Sequence, residues 1–388
     1  METTAPAIAE LGLVLLVAAG AGWIARRLGL PAVVGYLAVG LAISPFTPGY
    51  IADRHQLQLF ADLGVVLLLF EVGIEVDLGR LRREHGPLLW LAPLQLVAST
   101  VVVAVAALIL GLPPFGAAIV GLGVAMSSSV VVVNITRSRR RTTDPATDRA
   151  LLGWSVLQDV GGVLLAVAVL TAGGVSDRPL PLAVAGLVGA LAIVLAAAVI
   201  VPIVLRRLRA DHDLFLIVSV ASGLAVAAVA SIVGGIPMAL AAFAAGLAIT
   251  ESPDAAEARR RLLPFRDLLA VLFFVVIGSL IDPGILGEAA PWLAFFLVAV
   301  IVAKVGLIYL FATMTRMEAR PPQLAIGLGQ IGEFSFVLAS VAAAQGAIDR
   351  QVYVALLAAV VVTILGSTIL VRLAGSRPVG DSSLPEAA

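Results

Sequence analysis

The sequence predicts an all-α polytopic membrane protein, and three observations carry that prediction. Of 388 residues, 61% are hydrophobic and only 13% are charged, against about 25% charged in a soluble domain. Mean hydropathy is +1.09. Apolar runs of about 20 residues recur along the whole chain, each long enough to cross a ~30 Å hydrocarbon core.

Polar breaks delimit thirteen spans, near 8–25, 31–46, 57–76, 88–111, 114–136, 149–172, 180–205, 213–233, 236–250, 263–281, 289–313, 322–344 and 350–373. The first has no basic region before it and reads as a retained helix, not a cleaved signal. Basic residues mark alternate breaks. Arg26 and Arg27 follow the first span, Arg80, Arg82 and Arg83 the third, and the SRRR run at 138–141 the fifth. Arg206, Arg207 and Arg209 follow the seventh, Arg259, Arg260 and Arg261 the ninth, and Arg316 and Arg320 the eleventh. In all, 21 of the 24 arginines fall on one side, leaving Arg54, Arg178 and Arg350 on the other. The positive-inside rule then puts the N-terminus outside and the C-terminus in the cytoplasm of a cell membrane. An error of one span would scramble this parity, so the split itself supports thirteen. SRRR serves as a topology anchor, and nothing points to nucleic acid.

Composition also excludes chemistries. With no cysteine there are no disulfides, thiolate metal sites or cysteine nucleophiles. His55, His85 and His212 all fall in polar connections, so no metal cluster is expected. GLGQIG at 327–332 matches a dinucleotide fingerprint literally, but that motif works only where a strand turns into a helix. No Walker motif is present, and neither a cofactor nor an enzymatic reaction is expected.

Charge inside the spans is the informative remainder. Asp159, in SVLQDVGGVLLAVAVL, is followed by eleven residues without a polar side chain, and Lys304, the only lysine, lies in VAVIVAKVGLIYLF. Intramembrane charge is costly and usually marks an ion or proton pathway. Measured from the nearest cytoplasmic arginine at 1.5 Å per residue, Asp159 and Ser127 lie about 15 Å deep, Lys304 and Gly332 about 18 Å. Four features thus share the midplane.

Two spans read as broken helices. The fifth carries Gly121 and Gly123 before the serines of AMSSSV, and the twelfth has Gly327, Gly329, Gln330, Gly332 and Glu333 at its middle. Glycine weakens a helix by about 1 kcal/mol relative to alanine. The two spans run in opposite directions, which is the sequence pointer to inverted-topology repeats of a secondary transporter. Glycine-mediated helix packing is the simpler alternative.

Burial in hydrocarbon favours the neutral form of Asp159, whereas its charged form can hold a monovalent cation among oxygen ligands. Candidate ligands are Asp159, Gln158, Ser155, and Ser127 to Ser129 with carbonyls freed at the break. A carboxylate carrying either a proton or a cation, never both, is the minimum for exchange. Lys304 fits as the resting counter-charge, and the alternative is a buried ion pair fixing helix register. Glu333 would complement the second break or line a proton path. Glu71 and Glu75 sit one turn apart near the cytoplasmic end of the third span. Glu75 reads as an interface anchor, and Glu71 as part of a cation funnel. A gated channel, an organic-solute symporter and a non-transporting scaffold are the other readings.

VGYLAVGLAISPFTPG, LLLFEVGIEVDL, AMSSSVVVV, VLQDVGGVLL, FFVVIGSLID and LGQIGEFSFVLA resemble segments of the monovalent cation:proton antiporter-2 family, Kef/YbaL-like branch. The similarity covers nearly all of residues 8 to 375 and is most specific at Gln158-Asp159 and GQIGEFSFVLA. It implies a sodium/proton-antiporter-like fold of thirteen helices with crossed broken helices, usually a homodimer moving by an elevator-like motion. It also implies that Asp159 binds cation and proton, with Gln158 its partner, Ser127 and Ser128 at the break, and Lys304 the intramembrane lysine. Gln-Asp resembles the form associated with potassium, although sodium stays open. Such proteins often continue into a cytoplasmic nucleotide-binding domain. Here 1–375 reads as one transmembrane exchange domain and 376–388 as a short cytoplasmic tail, so a regulatory subunit would have to be separate.

Overall fold

A computed structural model describes residues 5–46, 54–75, 88–136, 143–173, 180–235, 238–250, 252, 254–315, 317–332 and 334–375. Among these there are helices and turns and no strands. The helices are α1 Ala5–Arg27, α2 Ala32–Ala42, α3 Arg54–Glu75, α4 Leu88–Ile109, α5 Pro114–Ala125, α6 Ser129–Thr136, α7 Pro145–Ala172 and α8 Leu180–Leu208. They continue with α9 His212–Gly234, α10 Met238–Ile249, α11 Ala255–Ser279, α12 Leu286–Ala299, α13 Gly306–Met314, α14 Pro321–Gly327, α15 Phe334–Ala344 and α16 Arg350–Gly375. A π-helical turn, Val300–Val305, joins α12 to α13.

Each of the thirteen expected spans falls on a helix or on a broken pair, and among the described residues eight helical stretches are long and apolar enough to cross a bilayer by themselves. Boundaries moved where polar residues prolong a helix. The tenth span begins at Ala255, so Arg259, Arg260 and Arg261 lie on α11 and not in a connection. Glu257 accounts for the extension, because it pairs with Arg260 and Arg261 one turn on. His55 likewise sits in the first turn of α3. His85, the SRRR run, Arg80, Arg82, Arg83 and the tail 376–388 lie outside the described residues.

The helices sort into two bundles. The frame consists of α1–α3 with α8–α11, and the core of α4–α7 with α12–α16; every extensively packed pair of elements lies within one bundle. Between them runs an apolar seam. Phe243 meets Phe334 edge-on at 6.3 Å between ring centroids, and Phe273 meets Phe336 at 6.2 Å. A cavity of about 250 Å³ opens along the seam, lined by Ala61, Asp62, Val65, Phe273, Phe336 and Ser340.

An internal two-fold is written into the frame. α2 packs on α11 where Gly40 meets Gly278, and α10 packs on α3 where Gly246 meets Gly73. A Cβ on Gly40 would come within 2.0 Å of the Val275 carbonyl oxygen, and one on Gly246 within 2.1 Å of the Phe70 oxygen. Only glycine permits such close helix approach. Beside each contact a hydroxyl crosses over, Ser44 to the Ser279 carbonyl at 2.9 Å and Thr250 to the Ile74 carbonyl at 2.8 Å. The core repeats the relation on a larger scale, because α5–α6 and α14–α15 are both interrupted.

Candidate ion-binding site at the crossing of two broken helices

The interruption of the fifth span covers Met126, Ser127 and Ser128, and that of the twelfth covers residues 328–332. Ending four helices inside the protein leaves buried backbone groups, each of which needs a partner. The two breaks supply one another. Gly332 donates its N–H to the Met126 carbonyl at 3.0 Å. Ser127 donates Oγ–H to the Leu328 carbonyl at 2.8 Å, and Gln330 Nε2 donates to the Ser128 carbonyl at 3.3 Å. A side chain at position 332 would collide with the Ser127 carbonyl oxygen at 2.5 Å, so glycine is required for the approach. The last core helix adds Thr363, which accepts from the Ile331 N–H at 3.1 Å, and Ser367, which donates to the Ile326 carbonyl at 2.8 Å.

Lys304 occupies the centre of this crossing. Its side chain is fully buried, and its ammonium donates to the carbonyls of Val124 at 3.1 Å, Met126 at 2.7 Å and Gln330 at 2.6 Å. An ammonium has three protons, and here three bonds engage them. A cation beside the C-terminal end of α5 also answers the negative pole of that helix. Lys304 lies within the electrostatic field of Asp159 as well. Sequence reasoning placed it as a counter-charge. The structure adds a backbone role that joins both breaks.

Asp159 is buried on α7, with 1% of its surface exposed. Ser129, the first residue of α6 beyond the break, donates its hydroxyl to Asp159 Oδ2. Its neighbours from the serine triplet turn elsewhere. Ser127 serves Leu328, and Ser128 Oγ accepts from the Val131 N–H at 3.3 Å. Ser155 donates back to the Leu152 carbonyl of its own helix at 3.1 Å. Ser129 is therefore the serine in contact with the carboxylate.

Gln158 belongs to a buried polar chain that links α7 through α4 to the π-helical turn. Its Nε2 donates to Gln95 Oε1 at 2.5 Å, and the same oxygen accepts from Trp154 Nε1 at 3.1 Å. Gln95 Nε2 then donates to Ser99 Oγ at 2.8 Å, and Ser99 donates to the carbonyl of Ala303, the residue before Lys304. Gln95 and Ser99 stand one turn apart on α4, facing inward. Their signal was present, as polar residues at i and i+4 in a largely apolar helix. No charge drew attention to them.

The remaining candidates separate. Glu71, fully buried on α3, lies in the frame, and both its oxygens are held, by Arg259 Nε at 2.5 Å and by an Arg266 guanidinium nitrogen at 2.6 Å. The Glu75 side chain and Glu333 lie outside the described residues. At the polar end of the core, Asp144 caps α7 by accepting from the Ala146 and Thr147 N–H groups at 3.1 and 2.9 Å. It also pairs with Arg320 at 3.2 Å, tying the start of α7 to the start of α14. Burial raises its carboxyl pKa, but the Thr147 bonds and the Arg320 guanidinium outweigh that and leave it below the usual value.

Comparison with known proteins agrees with this architecture. The sodium proton antiporter MjNhaP1 from Methanocaldococcus jannaschii, in its structure at pH 8, superposes with a TM-score of 0.75 at 17% identity, covering 98% of this chain and 100% of that one. A second structure of MjNhaP1, from an electron microscopy map, gives 0.68 at 16% identity over 97% and 99%. At such identities the likeness establishes the fold. The model of the family described as "Sodium/hydrogen exchanger, transmembrane" matches residues 13–374, nearly the whole chain. The protein is therefore a multi-pass membrane protein belonging to the sodium/hydrogen exchanger family, whose members are monovalent cation:proton antiporters.

Proposed function

We propose that the protein exchanges a monovalent cation, K⁺ in preference to Na⁺, for protons that compete for the Asp159 carboxylate. One observation carries the reading: a buried carboxylate meets a hydroxyl from a helix break at the level where two such breaks cross. Protonated, Asp159 is neutral and suits burial. Ionised, it offers oxygen to a cation, with Ser129, Gln158 and carbonyls of the unwound turns replacing hydration water. Lys304 holds the crossing together and offsets the charge of the empty carboxylate. Glu333 is assigned to the proton route at the second break.

The preference for K⁺ rests on the Gln158-Asp159 pair and its likeness to the Kef/YbaL-like branch. The separate packing of frame and core supports an elevator-like movement of the core along the apolar seam, with homodimers forming through the frame. The arginine bias supports an N-terminus outside and a C-terminus in the cytoplasm of the cell membrane. No step requires an enzymatic reaction.

The test is reconstitution in proteoliposomes with an internal pH dye, adding K⁺, Na⁺, Li⁺ and Rb⁺ in turn. Proton movement driven by K⁺ with fixed stoichiometry is expected, and Asp159→Asn should abolish it. Flux without stoichiometric proton coupling would indicate a channel instead. Exchange that survives in Asp159→Asn would refute the assigned role.

A further inference from the structure

We infer that Gln95 and Trp154 are positioning residues that fix which end of the Gln158 side-chain amide is left for the transported cation. The inference rests on the reading that a cation binds at Asp159.

An indole N–H can only donate, so the group that Trp154 Nε1 meets at 3.1 Å must be an acceptor, and Gln95 has its oxygen there. Its NH₂ end then points to Ser99 Oγ at 2.8 Å. Ser99 can accept because its own proton is committed to the Ala303 carbonyl. With an oxygen fixed at Gln95, the end of Gln158 that meets it at 2.5 Å must be the NH₂. The same nitrogen lies 3.5 Å from the Ala125 carbonyl, so both its protons have a direction.

One end of Gln158 remains. Its Oε1 is buried and has no hydrogen-bond partner among the described residues, next in sequence to Asp159. A buried amide oxygen without a donor costs free energy that a protein ordinarily avoids, and a bound cation is what such an oxygen can serve. Were the amide reversed, an NH₂ would face the cation and repel it. Orientation therefore decides between ligand and barrier, and three side chains on α4 and α7 set it.

The test compares apparent KM for K⁺ in proteoliposomes across Gln95→Leu, Trp154→Phe, Gln158→Leu and the double variant Gln95→Leu/Gln158→Leu. Freed of its acceptor, the Gln158 amide turns, and loss of one buried oxygen ligand raises KM about ten-fold in Gln95→Leu. Trp154→Phe, which keeps a ring and loses only the N–H, shows a smaller rise in the same direction. Maximal rate and the pH midpoint at saturating K⁺ stay near wild type in both. In the Gln158→Leu background, Gln95→Leu adds nothing. An unchanged KM in Gln95→Leu, or an equal further rise in the Gln158→Leu background, overturns the inference. If Gln95→Leu does not fold, Trp154→Phe decides by the same KM criterion. Wild-type protein that exchanges no cation for protons, or Asp159→Asn that still does, would sink the underlying reading; an unaltered KM with exchange intact sinks only the orienting role.

Discussion

Lys304 donates to the carbonyl oxygen of Met126 at 2.7 Å, and that same oxygen accepts the Gly332 N–H at 3.0 Å. One carbonyl thereby joins the eleventh span to both interrupted spans. The lysine is structural at its nitrogen and electrostatic at a distance, and substitutions can separate the two.

Lys304→Ala removes the ammonium from the Val124 and Gln330 carbonyls, while Met126 keeps its Gly332 bond. Each orphaned acceptor costs about 1–3 kcal/mol, so a drop in melting temperature of several degrees is expected in detergent. Lys304→Gln keeps two donors without the charge. It should recover much of that stability while still shifting the pH profile of exchange. A pH profile like the wild type's in Lys304→Gln would remove the electrostatic role.

Ser129→Ala removes the hydroxyl that Asp159 accepts. A bond to a charged group contributes about 1.5–3 kcal/mol, so cation affinity should fall by roughly ten-fold or more, with folding retained. Ser155→Ala serves as the comparison, since Ser155 bonds within its own helix. Equal KM values for the two variants would remove Ser129 from the site.

Glu71 distinguishes a cation funnel from a clamp. Its two oxygens are engaged by Arg259 and Arg266, and leaving such a pair of guanidinium groups without their carboxylate costs about 3–5 kcal/mol. Glu71→Gln should therefore lower the melting temperature and the yield, while the KM for K⁺ of the folded fraction stays unchanged. A raised KM at unaltered stability would restore the funnel.

Asp144 gives a pH signature away from transport. Its folded-state pKa lies below the ordinary value of 3.8, so the stability it contributes is present above that value and lost as pH falls through the lower folded one. Asp144→Ala should cost about 1 kcal/mol at neutral pH, as loss of a helix cap does, and the difference from wild type should vanish in strong acid. A difference that persists there would assign the effect to packing.

What sequence could reveal depended on whether a signal was local. The interruptions at Ser127 and Gly332 lie within runs of glycine and serine, and their common depth followed from counting residues to the nearest arginine. Asp159 and Lys304 stood out because charge is rare in such surroundings. The partners of Lys304 did not, because backbone carbonyls leave no trace in residue type. Choosing Ser129 over Ser127 needed the rotation of α6 relative to α7, which nothing along the chain fixes. Gln95 escaped notice because its importance comes from Trp154 and Gln158, about sixty residues away on another helix. Arg259 marks membrane orientation in the sequence, whereas on the extended α11 it joins Arg266 at Glu71.

The glycine contacts at Gly40–Gly278 and Gly73–Gly246, with their matching hydroxyl crossovers, repeat one helix–helix joint twice within the frame. If the core moves against the frame as proposed, the two joints brace it alike toward either side of the membrane. A preference for one end of that stroke would then lie in the core or in what it carries.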